Sequence, residues 1–156
     1  MNNLDVVIMG VKMTVEDLRI PEPEVFFIER NNLPNPYITS LFIQDKYELV
    51  FNENWVLESD PAEVLVACFH EARHAYQKYS IDNNINEDID TLNEWNNNFV
   101  SYNSPSINNT EKADINYLEQ ALEVDAILYA HKKMKELFNM KTIIPYSVKR
   151  IVKLEK

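Results

Sequence analysis

Within the run Leu65-Val66-Ala67-Cys68-Phe69-His70-Glu71-Ala72-Arg73-His74-Ala75-Tyr76, two histidines stand four residues apart with a glutamate directly after the first. On a helix, side chains at i and i+4 lie one above the other, with Cβ atoms roughly 5–6 Å apart. Two imidazoles so placed can each give a nitrogen to one Zn2+ at about 2.0–2.1 Å, and the glutamate can reach a water on that metal. His70 and His74 are therefore candidate metal ligands and Glu71 a candidate general base. Three fixed positions in five arise by chance on the order of once in a few hundred chains of this size. Context favours a metal over an exposed, unliganded pair. The pattern sits mid-helix, away from the apolar stripe and behind a predicted strand, and it holds two of the chain's three histidines.

The helix that must carry these residues is well marked. Asp60 is a good N-cap, Pro61 suits the first helical position, and Glu63 stands where a capping box needs an acid, which predicts a helix over 60–80. At about 100° per residue, Val64, Leu65, Cys68, Ala72, Ala75, Tyr76 and Tyr79 gather opposite the histidines and form a core-facing back. Before it, Tyr37–Ile43 and Glu48–Asn52 are β-rich runs separated by Gln44-Asp45-Lys46-Tyr47, which predicts an antiparallel hairpin. Val25–Ile28 reads as a further strand. At the N-terminus, Leu4–Met9 reads as a β-branched strand, followed by a short helical stretch at Thr14–Leu18.

After the helix, residues 81–110 are rich in asparagine and acids, with eight asparagines from Asn83 to Asn103 before Pro105 ends the stretch; within them Trp95, Phe99 and Tyr102 recur at helical spacing, as a short helix docking three rings would. This is read as an anchored surface excursion in preference to a substrate-binding lid. A second long helix is expected from Thr110 to Phe138, with Leu118, Ala121, Leu122, Leu128 and Tyr129 facing the core and Glu119 and Glu123 four residues apart on one face. Asp125 falls in the apolar stripe and needs a partner, either an ion pair or a metal-bound histidine. The tail from Lys141 holds Pro145 and a short final element.

A catalytic zinc site has three protein ligands and an open position, so a third ligand is required. A third histidine six residues after His74 would fall on Ser80, and a glycine three residues after it on Gln77, so the extended three-histidine motif is absent. His131 lies toward the end of the second helix, where a cation suits the dipole. That helix otherwise offers Glu119 and Glu123, and spacing leaves both open. With the hairpin before His70-Glu71-Ala72-Arg73-His74 and the later Tyr117-Leu118-Glu119-Gln120-Ala121-Leu122-Glu123-Val124-Asp125-Ala126, the chain over residues 37–130 resembles the gluzincin metallopeptidases, especially small ImmA/IrrE-type members and minigluzincins.

The resemblance implies an α+β, zincin-like minidomain: a small, mainly antiparallel sheet packed on the helix of His70 and His74, and a second, glutamate-bearing helix. It implies Zn2+ held by His70, His74 and Glu123, with Glu119 the alternative, and Glu71 taking a proton from water and passing it to the leaving amine. Tyr102, Tyr117, Tyr129 and Arg73 are the candidates for a donor to the oxyanion.

Composition bounds the rest. The 156 residues, 46% apolar, suit one domain over 1–156, and no segment has the roughly 18–20 uninterrupted apolar residues of a membrane span. A net charge of −10, with 25 acids against 15 bases, argues against nucleic acid, and a single glycine excludes glycine-rich phosphate loops. One cysteine and no basic, apolar N-terminal leader predict a cytoplasmic setting. The expected function is zinc-dependent hydrolysis of a protein or peptide substrate. A zinc-stabilised, non-catalytic interaction module and a zinc hydrolase of non-peptide amides are the competing readings.

Overall fold

The computed structural model describes the backbone of residues 1–104 and 111–155, with the side chains of 111–114 and 153–155 left out of the description. Pro105 and Thr110 lie outside these residues. Described residues form an α+β structure of seven α-helices, one 3-10 turn and a three-stranded sheet. They divide into two compact units, Met1–Tyr79 and Ser80–Lys156.

The first unit opens with helix α1, Asn3–Leu18, where a strand at Leu4–Met9 is the sequence expectation. The deciding features are short-range. Asn2 accepts a hydrogen bond from the amide of Asp5 while Asp5 reaches back to the amide of Asn2, a reciprocal cap that starts the helix. Val6, Val7, Gly10, Val11 and Thr14 are buried at helical spacing, so the β-branched run is one stripe of a helix. Asn3 then ties the start of α1 to α2 (Glu53–Glu58) and its exit by donating to the carbonyls of Val56 and Ser59, at 2.8 and 2.6 Å.

Gly10, the chain's one glycine, lies where α1 packs against helix α3 (Pro61–Asn83). A Cβ there would lie 2.9 Å from the Cβ of Cys68 and 3.2 Å from Leu65 Cδ2. Glycine inside a helix costs about 1 kcal/mol relative to alanine, and the close crossing is what it permits.

Strands β1 (Glu24–Ile28), β2 (Ser40–Ile43) and β3 (Glu48–Asn52) form the sheet in the order β1-β3-β2. The predicted hairpin is present as the antiparallel β2–β3 pair, with Ser40 opposite Phe51 and Phe42 opposite Leu49. β1 runs parallel to β3, with Phe27 opposite Phe51. The sheet is therefore mixed, with one parallel and one antiparallel pairing, in place of the mainly antiparallel sheet expected. A parallel neighbour needs a crossover connection, and the long stretch between β1 and β3, which includes β2 and the 3-10 turn Arg30–Asn32, supplies it.

Helix α3, Pro61–Asn83, extends the predicted 60–80 segment by one turn. Its predicted back is buried as expected from Val64 to Tyr76, with Tyr79 half-buried. The opposite side is also covered: Phe69 and Gln77 have no exposed surface, His74 is 5% exposed and Glu71 8%. Polar groups buried in this way must find partners within the protein, and among the described residues no buried side-chain nitrogen or oxygen lacks one.

The second unit is helical. Asp88 caps α4 (Ile89–Val100), which buries Trp95 and Phe99 as the aromatic spacing predicts, together with Leu92; the third ring, Tyr102, lies beyond the helix end and is exposed, so two of the three predicted rings anchor this segment. The predicted long second helix is two helices, α5 (Glu111–Leu118) and α6 (Ala121–Phe138). Gln120 breaks it by leaving the helical region, at φ −61° and ψ 135°. Its amide donates to the carbonyls of Asn103 and Tyr117 and accepts from the Asn103 N–H, so three hydrogen bonds hold the break open. A final helix, α7 (Tyr146–Glu155), buries Val148. Among the described residues no helix is long and apolar enough to cross a membrane.

Candidate metal centre

His70, Glu71 and His74 come together on α3, each with a ligand atom within 4.8 Å of the others. The helical repeat does most of this: the rings of His70 and His74 meet edge-on with centroids 4.9 Å apart. Their Nε2 atoms stand 3.2 Å apart. Two nitrogens bound to one zinc at about 2.0–2.1 Å in a tetrahedral arrangement are separated by roughly 3.3 Å. The spacing and the donor types thus fit a metal ion.

The tautomer of His74 follows from its other nitrogen. Its Nδ1 lies 2.8 Å from Gln77 Oε1, an oxygen that can only accept, so Nδ1 carries the proton. In the neutral ring the Nε2 lone pair is then left facing His70. A hydrogen bond of this kind to the outer nitrogen of a ligating imidazole fixes ring orientation and protonation together. Gln77 was legible only as the absence of a glycine. The signal that finds it is positional: it is seven residues after His70 and three after His74, on the same stripe of the helix.

Glu71 is held from the sheet. Ser40, the first residue of β2, donates from Oγ to Glu71 Oε2 at 2.8 Å. Neither the strand pattern nor the helix pattern marks Ser40, because the contact joins residues 31 apart in the chain. On the far side of the same helix the Cys68 thiol is driven above its ordinary range by burial and, secondarily, by the charge of Glu71. It behaves as a small apolar side chain, as its place in the stripe predicts. Arg73, between the two histidines, lays its guanidinium over the Tyr76 ring at 4.2 Å from the centroid.

The second unit places the remaining candidates. Glu123 is in the first turn of α6 and has no exposed surface. Tyr102 donates its hydroxyl to Glu123 Oε2 at 2.9 Å, and its ring meets that of Tyr117 edge-on at 6.2 Å. A carboxylate in the first turn also lies at the positive end of the helix dipole. Glu119 is separated from Glu123 by the break at Gln120, so the two do not share one continuous helix face, and it accepts a hydrogen bond from Arg150 Nη2 at 2.9 Å. His131 is engaged by Thr142 through Nδ1 at 2.7 Å. Asp125 is half-buried on α6.

No family model matches this chain, and neither a curated protein nor a solved structure matches it significantly. What the molecule itself establishes is an α+β chain with a His-Glu-His group able to hold a metal ion.

Proposed function

We propose that the chain is a zinc-dependent peptidase, with Zn2+ held by His70 and His74 of α3 and by Glu123 of α6, and with Glu71 as general base. One observation carries this reading: the two Nε2 atoms at zinc-ligand spacing, with a glutamate in the same cluster. A purely structural metal site needs four ligands and has no use for an acid beside them, which counts against a non-catalytic interaction module. Glu123 enters through the gluzincin resemblance, and its burial in a helix first turn supports it, because a carboxylate removed from water needs a compensating charge or donors.

Zinc at such a site supplies Lewis-acid polarisation of a carbonyl and acidifies a coordinated water. The protein does the rest. His70 and His74 hold their rings by the helical repeat and by Gln77. Glu71 takes the proton of the attacking water as the new C–O bond forms, then delivers it to the amide nitrogen as the C–N bond breaks. The substrate proposed is a protein or peptide in the cytoplasm.

The test is Glu71→Gln in protein loaded with stoichiometric zinc, incubated with denatured protein and with its own chain. Cleavage by the wild type that a chelator stops, with zinc retained and cleavage lost in Glu71→Gln, is the expected result. Equal turnover in wild type and variant would refute the assignment. A wild-type protein that binds zinc and cleaves neither substrate would leave the interaction-module reading standing.

A further inference from the structure

We propose that Ser40 is a positioning residue for Glu71, engaging one carboxylate oxygen so that the other handles the proton, and that Asn52 fixes the stretch of chain that presents it. This rests on the peptidase reading above.

Ser40 Oγ is the donor and Glu71 Oε2 the acceptor, at 2.8 Å in a part-buried setting. Because Ser40 pairs with Phe51 and Phe51 with Phe27, these three residues form one row across β2, β3 and β1, on one face of the sheet. The other two members of that row are phenylalanines, their rings 6.3 Å apart. A hydroxyl in their company would be out of place unless it had a polar partner, and Glu71 is that partner.

The chain leading into Ser40 is held firmly. Asn52 is 2% exposed, and it binds the two residues that precede Ser40: its backbone N–H donates to the Thr39 carbonyl and its Nδ2 to the Ile38 carbonyl, both at 2.9 Å. Its Oδ1 in turn accepts from the Trp55 amide at 3.0 Å and caps α2. One buried side chain therefore ties the start of β2 to the end of β3 and to the next helix, and Ser40 inherits its position from that knot.

Glutamate has three side-chain torsions, and the last is broad. A base that must meet a proton at one place gains from having that torsion held. The bond from Ser40 engages Oε2, so Oε1 is the oxygen that takes the proton from water and releases it to the leaving nitrogen. Ser40 exchanges no proton itself.

The experiment has two arms. In zinc-loaded protein, Ser40→Ala is expected to lower kcat by about 10- to 100-fold with KM within about twofold and zinc content unchanged, and Ser40→Thr, which keeps the hydroxyl on a β-compatible side chain, to restore it. In metal-free protein, the urea midpoint is read for Ser40→Ala, Glu71→Leu and the pair. A shift caused by Ser40→Ala in the wild-type background that vanishes beside Glu71→Leu demonstrates the contact without any reference to turnover. The proposal is overturned if Ser40→Ala shifts the midpoint equally in both backgrounds, or if it leaves kcat intact while Glu71→Gln abolishes it. Turnover persisting in Glu71→Gln would instead overturn the peptidase reading, and this proposal with it, whatever the metal-free arm gives.

Discussion

In the middle of α3, His74 finds Gln77 three residues along the same helix, and Glu71 is met by one hydroxyl from the adjacent strand. At the start of α6 the surroundings of Glu123 are gathered from much further apart. Tyr102 reaches it from beyond the end of α4, Asn98 of α4 accepts the Leu122 amide at 3.2 Å, and Gln120 locks onto Asn103. Both regions bury polar side chains, and both satisfy them. In α3 one of these contacts lies within a single helical period and the other is a single bond from the sheet, so substitutions there should act one contact at a time. At α6 the carboxylate depends on a loop, a helix and a helix break at once, so damage to any of them should reach Glu123.

The largest effect expected is on metal affinity. If Glu123 is the third ligand, Glu123→Ala should weaken zinc binding by more than about 100-fold, while Tyr102→Phe, which removes only a hydrogen bond to that carboxylate, should cost about 10-fold. Competition titrations with a zinc chelator measure both. Zinc affinity unchanged in Glu123→Ala would reduce the α6 assembly to a structural role and leave α3 as the whole of the metal site.

The next effect tests the back of α3. A methyl group added at Gly10 meets Cys68 Cβ at 2.9 Å and Cys68 Sγ at 3.3 Å, and the first of these is a side-chain root that cannot swing away. Gly10→Ala should therefore destabilise the chain by about 1–3 kcal/mol despite alanine's better helix propensity. A rise in the urea midpoint would show that α1 and α3 can part slightly without loss. Smaller still is the clamp at the α5–α6 break. Gln120→Ala removes three hydrogen bonds, part-buried and partly replaceable by water, and should cost about 1 kcal/mol net. Loss of far more than that would mean the break at Gln120 organises the whole second unit.

How much of this the amino-acid pattern discloses follows from the same contrast. The helix of His70 and His74, its apolar back and its start near Asp60 are periodic over many residues, and they stand in the structure where the pattern puts them. The β2–β3 hairpin and the aromatic anchor of α4 are also local, and legible for that reason. α1 was hidden because Val6-Val7-Ile8-Met9 suits a strand as well as a helix stripe, and the decision rests on Asn2 and Asp5 at its very start. The parallel pairing of β1 joins runs about twenty residues apart and leaves no periodic mark. The break at Gln120 is invisible for a different reason. Glutamine is a good helix former, and it leaves the helix only because Asn103, seventeen residues away, offers its backbone. Ser40 and Gln77 divide the same way: the second lies on a stripe that can be counted, and the first needed the fold.

Asp88 gives the smallest effect and the one whose sign is most constrained. It is a local device inside the assembled unit: its Oδ1 accepts the Thr91 amide at 2.8 Å and its Oδ2 the Thr91 hydroxyl at 3.0 Å, at the N-terminus of the helix that carries Asn98 and leads to Tyr102. The Thr91 amide, and then the hydroxyl, hold its carboxyl below the ordinary aspartate value of 3.8. A carboxyl with a lower pKa folded than unfolded adds stability that is fully present above the unfolded value and is lost as pH falls through the folded one. Asp88→Asn keeps an N-cap acceptor but cannot titrate. The wild type should therefore exceed the variant in urea midpoint at pH 7, and that difference should shrink or vanish at pH 3 and below. Because Asp88 is fully exposed, the difference should also fall when salt is raised at pH 7. A difference that stays constant from pH 7 to pH 2 would mean that the charge contributes nothing at this cap. The start of α4 would then rest on the geometry of the acceptor alone, as the His74–Gln77 contact in α3 rests on spacing.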